Sequence, residues 1–183
     1  MHYRRITSAD LPAVLALQEA SLFSNLTEQQ REDGYLSAAF TQDHFRQMAD
    51  ELAVLVADDA GKVCGYLCAG SISFHSQFPL LAAMITALDG VQFQGGPLVS
   101  RRMFIYGPAC VAQSHRRCGV LRGLYDELVH LVAGEYEVGV GLVAQNNPRS
   151  LAAHTEGLGM GVAGDFEFAD KRYWIVAFRC YSS

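Results

Sequence analysis

Pro108 stands inside an apolar run, Met103-Phe104-Ile105-Tyr106-Gly107-Pro108-Ala109-Cys110-Val111, that otherwise reads as a buried strand. Proline has no N–H to give to a ladder, so such a strand lies at an edge, carries a bulge, or marks a place where two strands part. The helical pattern begins a few residues later, with Leu121, Leu124, Leu128 and Leu131 spaced along Val120 to Val132. Any fold for this chain must therefore accommodate a broken strand that feeds almost directly into an amphipathic helix.

The rest of the chain alternates between the two periods. Tyr3 to Ile6 reads as a short strand, and Thr7 or Ser8 caps a helix with Pro12 in its first turn and Leu11, Val14, Leu15 and Leu17 as its apolar side. Asn25 to Gly34 breaks the pattern, although Thr27-Glu28-Gln29-Gln30 resembles a capping box. Thr41 caps another helix, with Phe45, Met48 and Leu52 on one face. Ala53 to Ala57 and Val63 to Phe74 form a hairpin about the turn Asp58 to Lys62. Phe78 to Leu88 is expected to be helical, and Gln92 to Ser100, with Gly95-Gly96-Pro97, a loop. Val138 to Ala144 is the next strand, Pro148 to Glu156 a short helix opened by Asn146 or Asn147, and Val162 to Phe168 with Tyr173 to Cys180 a closing hairpin. No repeat or linker interrupts the pattern, so residues 1–183 read as a single α/β domain with a mixed sheet.

Charge and cysteine usage exclude several classes. A net charge of −5 argues against a surface built to grip phosphate backbones, so no nucleic-acid partner is expected. No apolar run approaches the ~20 residues needed to span a bilayer. The start, Met1-His2-Tyr3-Arg4-Arg5-Ile6, leads to a helix cap instead of a signal-peptide core, so no membrane and a cytoplasmic location are expected. The five cysteines are odd in number and form no Cys-x-x-Cys, and the six histidines are scattered, so no metal site is expected.

The segment Val111-Ala112-Gln113-Ser114-His115-Arg116-Arg117-Cys118-Gly119-Val120-Leu121-Arg122 carries the functional signal. The first N–H groups of a helix have no internal partner, and the helix dipole adds positive charge there. Gly119 lets the backbone approach an anion closely, while Arg116, Arg117 and Arg122 supply cations in an acidic chain. These features suit a phosphate or pyrophosphate, although a plain loop with solvated arginines has the same composition. Gly139 and Gly141, on one face of the next strand, leave room for something to lie against the backbone, or for close packing. Gly159-Met160-Gly161-Val162-Ala163-Gly164 also spells a dinucleotide fingerprint, but it follows a helix and enters a strand, the reverse of the context required. A Gly-x-Ser-x-Gly elbow is absent, which removes a serine hydrolase of that type.

The pattern resembles the GNAT superfamily of acetyl-CoA-dependent N-acetyltransferases. That family's signature, Arg/Gln-x-x-Gly-x-Gly/Ala, is matched by Arg116-Arg117-Cys118-Gly119-Val120-Leu121 at Arg116 and Gly119 and departed from at Leu121. A second motif is similar to Asn147-Pro148-Arg149-Ser150-Leu151-Ala152-Ala153-His154, followed by Leu158-Gly159-Met160 with one residue inserted. The resemblance implies a mixed, mostly antiparallel sheet of about six or seven strands, splayed between the fourth and fifth and flanked by helices. An extra helix and loop fall at about 75–100. Acetyl-coenzyme A is the implied cofactor: N–H groups from Arg117 to Arg122 hold the pyrophosphate, main-chain groups of Val111, Ala112 and Gln113 meet the pantetheine arm, and Asn147 and Ser150 contact the cofactor. His154 stands where the family has a tyrosine that protonates the departing thiolate.

The implied reaction is direct attack by an amine of a small molecule or peptide on the thioester. A backbone N–H such as that of Val111 stabilises the oxyanion, and His154, with an ordinary pKa of about 6.5, protonates the sulfur. No carboxylate occurs in Met103 to Val111, so the base is unassigned, with Tyr106, His75 and Glu19 as candidates through water. That absence, and the histidine in place of tyrosine, keep a non-catalytic acyl-CoA-binding or sensing domain as the alternative. Leu22 to Phe40 and Phe78 to Ser100 are expected to form the acceptor pocket. A homodimer is left open.

Overall fold

Local capping chemistry sets many of the element boundaries. The computed structural model describes residues 1–180. β1 (His2–Arg5) runs through a 3-10 turn into α1 (Leu11–Glu19), followed by the single turn α2 (Glu28–Arg31), α3 (Gln42–Glu51), β2 (Ala53–Asp59) and β3 (Lys62–Gly70). α4 (Ile72–His75), α5 (Pro79–Ala87), β4 (Gln92–Phe93) and β5 (Gly96–Pro97) precede β6 (Met103–Val111). α6 (Val120–Val132), β7 (Val138–Ala144), α7 (Pro148–Ala152), β8 (Gly161–Phe168) and β9 (Lys171–Arg179) complete the order. Thr27 and Thr41 close capping boxes, their hydroxyls accepting from the N–H groups of Gln30 and His44, each at 3.3 Å.

Three segments depart from the sequence expectation. The strand expected to reach Phe74 stops at Gly70, because the Ser71 hydroxyl accepts the Phe74 N–H at 3.0 Å and starts a helical turn. Gln92 to Ser100 is not an open loop but holds the β4–β5 hairpin and a 3-10 turn. The helix expected over Pro148 to Glu156 ends at Ala152 and widens into a π-turn over Ala153–Gly157. Asn147 is its cap: its side-chain oxygen accepts from Ser150 N–H at 3.3 Å.

The seven main strands form one mixed sheet in the order β1-β2-β3-β6-β7-β9-β8, with every pair antiparallel except β6–β7. Both faces are covered, which is why the central strands are apolar throughout. Val54, Val56, Tyr66 and Cys68 face α1 and α3, with α5 against β8 on the same side, while Leu55, Leu67 and Ala69 face α6. Val120, Leu124, Leu128 and Val132 recur every four residues along α6 and are all buried. Burial of such side chains stabilises by about 1.5–3 kcal/mol each and holds the start of α6 fixed against the sheet. Among the described residues no helix is long and apolar enough to cross a membrane.

Candidate functional site

β6 changes its partners halfway along. Met103, Phe104 and Ile105 pair in parallel with Val138, Gly139 and Val140, and there the pairing ends although both strands continue. On its other edge β6 stays with β3 but carries an extra residue, since Ala69 faces Tyr106 while Leu67 faces Ala109. Gly107, with φ of 103°, and Pro108 form this bulge. The broken strand is thus both a bulge and a parting. Beyond it, Ala112 N–H donates to the Cys64 carbonyl at 2.8 Å. Neighbouring residues of a strand direct their N–H groups to opposite edges, so Val111 N–H faces the opening.

The turn after β6 concentrates unpaired donors. Arg117 and Gly119 both adopt positive φ, 63° and 80°, on either side of Cys118. This alternation folds successive N–H groups into a concave nest. Val120, Leu121 and Arg122 open the thirteen-residue α6 and lack helical acceptors for their N–H groups. Leu121, where the resemblance departs, still presents its N–H, so the side chain at that position is not what an anion meets. Nothing lies within 4 Å of where a Gly119 Cβ would be, so glycine serves the backbone conformation there, not packing.

The arginines divide. Arg116 donates to the carbonyls of Val111 (3.3 Å) and Asp33 (3.0 Å), tying the turn to the loop after α2. Arg122 donates to the Gly157 carbonyl and pairs with Asp126 at 3.5 Å, so its guanidinium links α6 to the π-turn. Arg117 is exposed and has no hydrogen bond or ion pair among the described residues. Cys118 is also exposed.

From this turn a cleft of about 790 Å³ runs along β6 to the α7 segment. Val111, Gln113, Arg116, Arg117, Gly119, Val120, Leu121, Arg122, Ser150 and His154 line it together. Ala112 and Cys118 do not, and Ala112 has its N–H committed to β3. Asn147 does not line it either: it is buried, its oxygen capping α7 and its amide donating to the Tyr35 carbonyl at 3.1 Å. Asp33 to Leu36, Arg149, Gly157 and Leu158 also line the cleft, and only tertiary folding brings them there.

A smaller chamber of about 110 Å³ lies in the parting itself, between Tyr106 to Ala109 of β6 and Leu142 to Ala144 of β7. The two hollows share Tyr35, Leu36, Ala109, Ser150 and His154. The His154 Nδ1 lies 2.7 Å from the Ser150 carbonyl oxygen. A carbonyl only accepts, so Nδ1 carries the proton and Nε2 presents a lone pair. Burial lowers the His154 pKa from its ordinary value, against a smaller upward pull from the Ser150 carbonyl. Neutral His154 therefore offers the junction an acceptor. Donation from Nε2, as the expected acid role requires, needs an imidazolium that this site disfavours.

Of the two uses open to the glycines of β7, close packing is the one observed, against neighbouring strands and not a helix. A Cβ on Gly139 would lie 2.2 Å from the Phe178 ring and 2.8 Å from that of Phe104; one on Gly141 would lie 2.9 Å from the Tyr106 carbonyl oxygen. Aromatic rings of neighbouring strands occupy that space. Of the candidate bases, Tyr106 is buried with its ring 5.5 Å from that of His154, and burial raises its pKa. His75 is buried outside both hollows, and Glu19 is bonded to Asn25.

No protein-family model and no curated protein matches the chain by sequence. Solved structures match it by shape. The ribosomal-protein-alanine N-acetyltransferase of Brucella melitensis is similar with a TM-score of 0.64 at 20% identity, over 98% of this chain and 99% of its own. A Salmonella typhimurium protein solved with its cofactor acetyl-CoA gives 0.62 at 17% identity, over 100% and 95%. An aminoglycoside 6'-N-acetyltransferase complexed with coenzyme A gives 0.65 at 13% identity, over 100% and 99%. Likeness at these identities speaks to architecture, and the architecture of this chain is the GNAT acetyltransferase fold.

Proposed function

We propose that this chain is an acetyl-CoA-dependent N-acetyltransferase acting on an amine of a small molecule or peptide. The reading rests on one juxtaposition: a nest of free N–H donors opens a cleft that follows the unpaired edge of β6 and ends where a second hollow meets it at His154. The donor set fits the group. N–H groups from Arg117 to Arg122 would hold the pyrophosphate, with Arg117 as a free cation beside it. Val111, whose N–H faces the opening, and Gln113 would meet the pantetheine arm. Asn147 acts by fixing Ser150 and the Tyr35 loop. The cleft volume falls within the roughly 300–1,000 Å³ usual for ligand sites.

Bound acetyl-CoA would supply an acetyl thioester: a C–N bond forms to the acceptor nitrogen as the C–S bond breaks, and the proton lost by nitrogen ends on sulfur. Val111 N–H donates toward a carbonyl oxygen in the opening. His154 Nε2 would accept a hydrogen bond from the acceptor side, a role its neutral state suits better than that of acid. Coenzyme A release from acetyl-CoA with a panel of amines tests the proposal. Turnover with at least one amine is expected; tight acetyl-CoA binding with no turnover on any amine would favour a sensing domain.

A further inference from the structure

We propose that the smaller chamber seats the apolar substituent of the acceptor, so that the enzyme selects weakly basic primary amines bearing one compact apolar group over polycationic amines. This rests on the acetyltransferase reading above. The chamber opens on the cleft beside Ser150 and His154, so a molecule filling it places its reactive end at that junction.

The lining comes from six parts of the chain, with Asn147, Ser150 and His154 of the α7 segment and Val176 of β9 joining four largely apolar walls. Phe40 lies at the end of the Tyr35 loop, Leu80 and Leu81 belong to α5, Pro108 to β6, and Leu142 to β7. α5 lies in the connection between β3 and β6, so that connection closes one side of the chamber. None of the lining residues is Asp, Glu, Lys or Arg. An apolar cavity of about 150 Å³ accommodates benzene. At about 110 Å³ the chamber is smaller than that, and because it opens on the cleft it suits one compact group, a short branched chain or a ring seated partly in its mouth.

The polar groups on offer are neutral. The Asn147 side chain is committed to Ser150 N–H and the Tyr35 carbonyl, and the Tyr35 hydroxyl donates to Asn146. Ser150 Oγ lies 3.5 Å from His154 Nδ1, and Nε2 has no hydrogen-bond partner among the described residues. An ammonium here meets no counter-charge, and burying an unpaired charge is strongly unfavourable. Such a site takes its acceptor as the free amine. An α-amino group, with pKa about 7.7–8.0, presents far more free amine near neutral pH than a lysine-like amine at about 10.4.

The test compares kcat/KM for phenylalaninamide, glycinamide, spermidine and kanamycin with acetyl-CoA, in the wild type and in Leu142→Phe. Leu80→Phe narrows the chamber from a different element and replaces Leu142→Phe should that variant fail to fold. Phenylalaninamide is expected to exceed spermidine and kanamycin at least tenfold. Either substitution is expected to lower phenylalaninamide at least tenfold more than glycinamide. Equal or faster turnover of spermidine or kanamycin would overturn the proposal, as would equal losses for phenylalaninamide and glycinamide. A substitution that altered the choice between acetyl-CoA and benzoyl-CoA, but not the choice of amine, would assign the chamber to the acyl chain and overturn it too. Absence of turnover on every amine would sink the acetyltransferase reading instead. Aniline binding to the CoA-saturated protein, followed by saturation-transfer NMR, then decides the chamber: binding that either substitution removes supports it, and no binding overturns it.

Discussion

The two hollows that meet at His154 are built from different chemistry. The larger is lined at its charged end by main-chain N–H groups, arranged by positive φ at Arg117 and Gly119 and by the start of α6. The smaller is lined by side chains that six separate segments bring together. A main-chain site depends on a few backbone conformations and is nearly indifferent to neighbouring side chains. This explains how Leu121 and the diverted Arg122 are compatible with it. A side-chain site depends on every residue that lines it. A fold built this way can hold one ligand by its backbone while its side chains decide what fills the other hollow.

The largest effect should separate the two directly. Gly119→Pro removes an N–H and imposes φ near −65° where the turn needs 80°, so acetyl-CoA affinity should fall at least a hundredfold, about 2.7 kcal/mol by calorimetry. Leu142→Phe should leave that affinity within twofold; a comparable loss in both would merge the two hollows into one site. Next comes the seating of α6. A Cβ on Gly123 would lie 2.0 Å from Tyr3 Cζ, so Gly123→Ala should destabilise by about 1–3 kcal/mol in urea denaturation, with Tyr3→Ala restoring part of the loss. Failure of that rescue would mean that the helix is positioned by other contacts.

The junction should respond to pH in a defined direction. Burial lowers the His154 pKa below its unfolded value, so its contribution to stability is present above about pH 6.5 and is lost as pH falls through the folded-state value. His75, lowered by the same cause, adds to this loss. Thermal melts should fall on acidification from about pH 6.5, and His154→Gln should make the fall shallower. The smallest effect belongs to Arg117→Ala, which should weaken acetyl-CoA two- to fivefold at low salt and less at high salt, because an exposed guanidinium is screened.

The larger hollow was far more legible in the sequence than the smaller. The bounds of α6 are legible at both ends because Gly119 and the three- and four-residue leucine spacing are local signals. Pro108 announced the parting for the same reason. Asn147 was recognised by position, but its commitment to Tyr35, more than a hundred residues away, has no local trace. The spacing of Gly139 and Gly141 leaves an open face and close packing equally possible, because the rings that fill the space come from β6 and β9. Ser71 looked like a strand residue until its hydroxyl capped α4. His154 was visible as a residue type, whereas its protonation state follows from the π-turn and burial that the fold imposes.

The short parallel pairing of β6 with β7 has a mechanical consequence. Among the described residues, the plate β1-β2-β3-β6 joins the plate β7-β9-β8 within the sheet through Met103 to Ile105, extended by the Arg102 carbonyl that accepts from Glu137 and Val138 N–H. The two plates behave as covers joined along a narrow spine, with packing across both faces resisting their rotation. Any molecule wedged between them acts at a distance from that spine and gains leverage on it. Amide exchange at Phe104, Ile105 and Val140 is therefore where ligand-driven rotation of the plates would register first.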